Sequence, residues 1–232
     1  MNRPADEATQ ITLDVLKAVQ SAVPGGPTDA SAQLNYLVGV LASQADALLD
    51  VDETDIPTSS YWPQMAEIFE QARISGATYE TFDTIRVLDL SFSPQTSIGV
   101  AVTNYVMRLT LAEQAQCLAA LTFTSRDQID AYLDLIDVSF EAAIDIAADN
   151  MDSVVYTALI SLRSAVVNDL NTRAIPLPVI VSVSLPIRLP AITIAQRLYQ
   201  DASQYAALID LNTPPNPLFM PTSFKALSLG NS

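Results

Sequence analysis

The sequence predicts a mainly α protein, with an N-terminal helical domain over residues 1–172 and a small C-terminal α+β module of β-α-α-β order over residues 174–232. Three observations predict it. Apolar residues recur every three or four positions through most of the first 170 residues, the spacing that lines one face of a helix. The pattern changes over residues 174–190, where prolines at 176, 178, 186 and 190 enclose Val and Ile alternating with Ser, the period of a strand. Half of the 232 residues are hydrophobic and 16% are charged, so the chain can bury a core and is not a disordered polymer.

The elements follow in order. Residues 10–23 set Ile11, Val15, Ala18, Val19 and Ala22 at helical spacing, and Pro24-Gly25-Gly26-Pro27 stops that helix. A second helix runs from about Asp29 to Leu49, with Leu34, Leu37, Val38 and Leu41 on its apolar face. The acidic stretch DVDETDIPTSS over 50–60 reads as a loop. Residues 61–77 form a helix that starts at Pro63, a residue favoured in a first turn, and closes at Gly76. The segment TYETFDTIRVLDLSF over 78–92 is ambiguous between helix and strand and ends at Ser93-Pro94. A long helix covers Ile98 to Leu121, with Val102, Tyr105, Val106, Leu109, Ala112 and Ala115 facing inward. Another runs from Ser125, as its N-cap, to Asn150, and a further one from Val154 to Leu170. Alternation from Val179 to Leu185, with Ser182 and Ser184 on the other face, gives a strand fenced by prolines. Helices around 194–200 and 202–212, a proline-rich turn and a last strand at 224–229 complete the chain.

Charge and missing residue types narrow the function. Eleven Lys and Arg against 26 Asp and Glu leave a formal charge of -15, and no basic footprint for nucleic-acid phosphates is present. Lysine occurs only at Lys17 and Lys225, so there is no polybasic membrane patch. The longest apolar run, Ala174 to Ile187, is too short to span a bilayer, and the start MNRPADEATQ lacks the apolar core of a signal peptide. A soluble protein is expected, without a membrane partner and without sequence-specific nucleic-acid binding. Histidine is absent, which removes the commonest general base and metal ligand. A single cysteine, Cys117, excludes an intramolecular disulfide and a Cys zinc cluster.

Every candidate catalytic feature has a plainer structural reading. Asp127, Asp130, Asp134, Asp137, Glu141, Asp145, Asp149 and Asp152 recur every three or four residues, opposite Ile129, Tyr132, Leu133, Ile136, Phe140, Ala143, Ile144 and Ala147. Carboxylates in such a stripe serve metal binding or acid–base catalysis in other proteins. Here no glycine-centred calcium loop accompanies them, and unbalanced carboxylates at every turn repel, so a solvated helix face is the favoured reading. A Ser-His-Asp triad is impossible, and a Ser-Lys dyad would need Lys17 or Lys225. Cys117, among alanines and leucines, reads as a buried structural thiol. Asp83 and Asp89 flank Arg86 at three-residue spacing, as in helix-surface ion pairs. Trp62 beside Tyr61 can stack on a sugar, but an aromatic capping a core at a helix start is the commoner arrangement. No glycine-rich phosphate loop exists. No enzyme is expected, and no catalytic, cofactor-binding or metal-ligating residue is assigned.

The end of the chain is more informative. In IAQRLYQDASQYAALIDLN over 194–212, Asp201 stands where the second helix needs an N-cap and Asn212 where it needs a stop. Followed by NPLFMP at 216–221, the pattern resembles a LysM-like module. Leu198, Tyr199, Asp201, Ala202 and Asn212 match that family, while Gln200 and Thr222 stand where it usually has glycine. RSAVVNDLNTRAIPLP at 163–178, LPAITIAQRLYQDAS at 189–203 and NTPPNPLFMPTSFKALS at 212–228 extend the likeness. From about Ile98 to Leu229 the chain resembles the tail of the Mu-like phage DNA circularisation protein family, a baseplate component. The resemblance implies a structural protein of the virion, assembled in the host cytoplasm into a contractile-tail baseplate. It implies docking at the tail-tube end or hub, in a ring-forming homo-oligomer, with tube, hub, sheath initiator or wedge proteins as partners. Leu198, Tyr199, Asp201, Asn212, Pro217 and Phe219 are the docking residues it suggests. The same pattern supports an alternative, a peptidoglycan-binding LysM protein. Proline-fenced strands with exposed edges suit pairing with neighbours in an assembly.

Overall fold

Helix α1, Pro4–Ala22, begins with a proline in its first turn and lines up Ala8, Ile11, Val15, Leu16 and Val19 on a buried face. The computed structural model describes residues 3–23, 29–52 and 54–228. The expected stop at Pro24-Gly25-Gly26-Pro27 and the last residue of the expected final strand, Leu229, lie outside them. The protein is mainly helical, and the chain divides into two compact units: Met1–Leu121 with Ser139–Val166, and Thr122–Val138 with Val167–Ser232. The division falls inside two long helices, α6 (Arg126–Asp149) and α7 (Ser153–Ala174), each of which contributes to both units.

In the first unit α1 packs against α2 (Asp29–Leu49), α3 (Tyr61–Ile74), α4 (Tyr79–Leu90) and α5 (Ser97–Ala120). Their shared core includes Leu34, Leu41, Tyr61, Met65, Phe69, Phe82, Ile85 and Val102. Helix α3 starts at Tyr61, two residues before Pro63. Its end is a Schellman motif: Gly76, at φ 101°, donates to Arg73 and Ala77 donates to Ala72, both at 3.0 Å. The ambiguous segment 78–92 is helical. Thr78 and Thr81 form a reciprocal cap, and Phe82, Ile85 and Asp89 fall at helical spacing on the buried side. Thr81 fills the place in this box where Glu or Gln is usual, which hid the signal.

The start of α5 is capped from another helix. The Glu7 carboxylate of α1 accepts the backbone N–H groups of Gln95 and Thr96, both at 2.9 Å, and the Thr96 hydroxyl. Burial pushes the Glu7 acid upward, but the donors from Thr96 and Gln95 outweigh it and leave it below its usual range. Gly99 permits this approach, because a Cβ there would sit 2.8 Å from Glu7 Oε2 and 2.9 Å from Thr96 Oγ1.

Ser125 departs from its expected role. Its hydroxyl is buried and makes no hydrogen bond, while the Gln128 side chain accepts the Thr124 backbone N–H at 2.9 Å. The start of α6 is thus closed by a side chain reaching backward rather than by a capping serine. Between α6 and α7, Asp152 accepts Val155 N–H at 3.1 Å and caps α7.

The second unit contains strands β1 (Ile180–Ser184) and β2 (Ser223–Leu227), paired antiparallel from Ile180 opposite Leu227 to Ser184 opposite Ser223. Between them come α8 (Ala191–Tyr199), a 3-10 turn at Ala202–Gln204, and α9 (Tyr205–Asn212), so the β-α-α-β order is present. The start of α6 is tied to this sheet. Arg126 N–H donates to the Pro178 carbonyl at 2.9 Å, and Asp127 accepts the N–H of Ile180 at 2.8 Å.

Candidate docking surface

The small core of the β-α-α-β segment is Ala191, Ile194, Ala195, Leu208, Met220, Phe224 and Ala226. Leu198 and Tyr199 pack partly buried against it, so both lie at the core margin. Alternation in β1 predicts Val179, Val181, Val183 and Leu185 on one inward face. Only Val183 and Leu185 reach the core; Val179 and Val181 are exposed.

Three polar side chains fix the segment through its backbone. Asn212 Nδ2 donates to the carbonyls of Leu208 and Lys225, both at 2.8 Å, and its Oδ1 accepts the Lys225 N–H at 2.7 Å. Its amide therefore pairs with Lys225 as a neighbouring strand would. The Tyr199 hydroxyl accepts the Leu227 N–H at 2.9 Å; burial pushes its pKa above the usual phenol value, against the smaller opposing pull of that bond. Asp201 accepts from Ser203 N–H at 2.9 Å and from its hydroxyl at 2.7 Å, which holds its carboxyl below the usual range. Asp201 caps the 3-10 turn that leads into α9. Asn212 is the last residue of α9, and the left-handed turn follows at Thr213, φ 39°. Gln200, where the resembled family has glycine, is also left-handed at φ 56°.

Pro217 and Phe219 have a different place. The Pro217 carbonyl accepts Ala191 N–H at 2.8 Å, and Met220 N–H donates to Leu189 at 3.1 Å. These bonds lay residues 217–220 along the chain entering α8. Phe219 and Leu218 remain 62% and 61% exposed beside that seam, and Ile187, before α8, and Ile192, in its first turn, are 60% and 52% exposed. Leu218, Ile187 and Ile192 carried no periodic signal in the sequence, because they lie in irregular or terminal positions. Of the six docking residues suggested by resemblance, four shape the segment and two are presented outward.

The other candidates resolve into structure. Six members of the acidic stripe, from Asp130 to Asp149, have exposed side chains, while Asp127 and Asp152 serve as backbone acceptors. Among the described residues no group of three or more His, Cys, Asp or Glu side chains is placed to hold a metal ion. Tyr61 is fully buried and bonded to Thr12 at 2.9 Å, and the Trp62 indole donates to the Ile56 carbonyl. Cys117 is half-buried, and burial pushes its thiol up to about 11, away from the reactive thiolate. Arg86 pairs with Asp83 at 2.8 Å but not with Asp89, which is buried; the expected surface triplet is a pair and an isolated acid. Among the described residues no helix is long and apolar enough to cross a membrane. No protein-family model matches the chain, and no curated protein matches it.

Proposed function

We propose that the chain is a structural component of a contractile phage tail baseplate, docking at the tail-tube end or hub through a LysM-like module. The observation that carries this reading is the β-α-α-β segment itself. Its Tyr199, Asp201 and Asn212 are tied to the backbone, and Ile187, Ile192, Leu218 and Phe219 are exposed on the two segments joined by the bonds between residues 189–191 and 217–220. Exposed apolar side chains suit a protein partner better than a sugar chain, whose recognition needs free polar groups. The sheet adds a second feature. Among the described residues β1 and β2 pair only with each other. Asn212 and Tyr199 occupy the outer edge of β2 at Lys225 and Leu227, and Asp127 takes the Ile180 N–H. The edge of β1 beyond Ile180 is therefore the one offered to a strand from a neighbour in a ring. The module belongs to a virion assembled in the host cytoplasm, with tube, hub, sheath initiator or wedge proteins as its partners.

The test is assembly. Purified chain is mixed with tube and hub proteins and followed by mass measurement and negative-stain imaging, beside Leu218→Asp and Phe219→Asp variants. Incorporation of the wild type and loss of incorporation in the variants is the expected result. A monomer that never joins particles overturns the reading, and retention on purified cell-wall sacculi favours the peptidoglycan-binding alternative instead.

A further inference from the structure

A cavity of about 400 Å³ opens in the first unit, lined by residues from α4, α5, the end of α6 and the loop after α4. Asp89 lines it and is 4% exposed, and its Oδ1 is shut from water with no hydrogen-bond partner. The neighbouring guanidinium, Arg86, is directed to Asp83. An unpartnered carboxyl in such a place costs stability, and buried polar groups are otherwise nearly always satisfied. The rest of the lining includes Asn104, Asn150 and Asp149 among the apolar side chains Phe92, Met107 and Ile146.

We infer that this cavity binds a primary ammonium group carried on an aliphatic stem, with Asp89 as its counter-ion. An ammonium offers three donors. One meets the Asp89 carboxylate, and the side-chain carbonyls of Asn104 and Asn150 are available on the same lining for the others. The stem covers Phe92, Met107 and Ile146, as lysine stems cover apolar surface elsewhere. A divalent metal ion fits less well. Calcium takes roughly six to eight oxygen ligands, and no metal-holding cluster of three His, Cys, Asp or Glu exists among the described residues. Asp149 on the lining and the formal charge of -15 both draw cations toward the cavity. Burial supports the same assignment: it pushes the Asp89 acid up to about 8, so a bound cation must displace a proton. The inference is independent of the baseplate reading.

Two sources share this chemistry, a free diamine and a lysine side chain of a protein partner. Isothermal calorimetry of the full chain at about pH 7, with cadaverine and with Nα-acetyl-lysine N-methylamide as probes, separates them. Saturable binding is expected, with close to one proton released when two buffers of different ionisation enthalpy are compared. Binding of both probes assigns the site to a lysine side chain, and binding of cadaverine alone assigns it to a free diamine. Asp89→Asn is expected to weaken binding by roughly tenfold or more, and Asp149→Asn by a few-fold. The inference is overturned if neither probe binds, if 1-pentanol binds as well as the amines, or if Asp89→Asn leaves the affinity unchanged. Should Asp89→Asn fail to fold, the proton count on the wild type decides, and binding without proton release overturns the site.

Discussion

The first unit and the β-α-α-β segment solve the same problem by different means. The first closes five helices over Tyr61, Phe69, Phe82, Met65 and Ile68, all fully shut from solvent. The second buries three alanines with Ile194, Leu208, Met220 and Phe224. A core that small removes little apolar surface from water, and surface-to-volume scaling makes such a unit marginal. Polar side chains make up part of the difference by pinning backbone: Asn212 holds Lys225, Tyr199 holds Leu227, and Asp201 holds Ser203. The lesson is that burial carries the first unit, whereas directed hydrogen bonds carry much of the order in the second.

The sharpest way to break that comparison is to empty part of each. Phe82→Ala leaves a cavity between α4 and the ring of Phe69, whose centroid lies 6.1 Å away. It is expected to cost the first unit about 3–5 kcal/mol in urea unfolding. A loss below about 1 kcal/mol would mean that the core is not the main support. In the second unit, Asn212→Ala removes the side chain that bonds Lys225 N–H, Lys225 C=O and Leu208 C=O. The expected cost is about 2–3 kcal/mol. Hydrogen exchange is the suitable readout: the Lys225 and Leu227 amides lose protection while the α3 and α4 amides keep theirs. Unchanged protection at Lys225 would show that the strand pairing alone holds β2.

Legibility divides along the same line. The apolar spacing of α1, α2 and α5 could be read directly, since Ile11, Val15, Leu34, Val38, Val102 and Val106 all fall on buried faces. So could the β-α-α-β order, from its prolines and its Asp201 and Asn212 punctuation. What could not be read was anything decided by a distant partner. Glu7 capping α5 spans 89 residues of sequence, and Ser125 turned inward although its position favoured a cap. Asp89 looked like one of two acids flanking Arg86 on the surface, because sequence gives spacing but not the side of the helix that faces the core. The exposed strip at Leu218 and Phe219 was only half visible, through Phe219 and Pro217. Its other members, Ile187 and Ile192, lie on a segment joined to it by bonds between residues 189–191 and 217–220, which sequence does not show.

Titration sets the two regions in opposite directions. Asp89 rises from 3.8 to about 8 because burial disfavours its charge. Between those values the folded state keeps a proton that the unfolded chain has released, so the first unit loses stability as pH climbs from about 4 to about 8. The slope is at most about 1.4 kcal/mol per pH unit. Asp201 is shifted the other way by the Ser203 hydroxyl and backbone N–H, so its contribution is present above the ordinary carboxylate range and is lost as pH falls through its lowered value. Thermal melts of wild type and Asp89→Asn across that range isolate the first effect. The variant is expected to flatten the slope and to melt higher near pH 8, where the wild type carries the buried charge. Equal slopes would show that Asp89 gains a partner or water on folding.

The smallest expected effect concerns two chain reversals with positive φ. In the first unit the position after α3 is Gly76 at φ 101°, a conformation that glycine adopts without a Cβ penalty. After α8 the equivalent reversal is made by Gln200 at φ 56°, where an L side chain crowds the following carbonyl. Gln200→Gly relieves that strain but also loosens the unfolded chain, so the net gain is expected at only about 0.5 kcal/mol. Gly76→Ala is expected to lose about 1 kcal/mol, since it adds the same strain where none exists. The pair of variants is more telling than either alone. A gain at residue 200 with a loss at residue 76 means that the smaller unit tolerates local strain because its polar bonds hold the backbone in place. A loss at both means that the Gln200 side chain contributes a contact worth more than its strain, and the smaller unit is then better packed at this turn than its buried set implies.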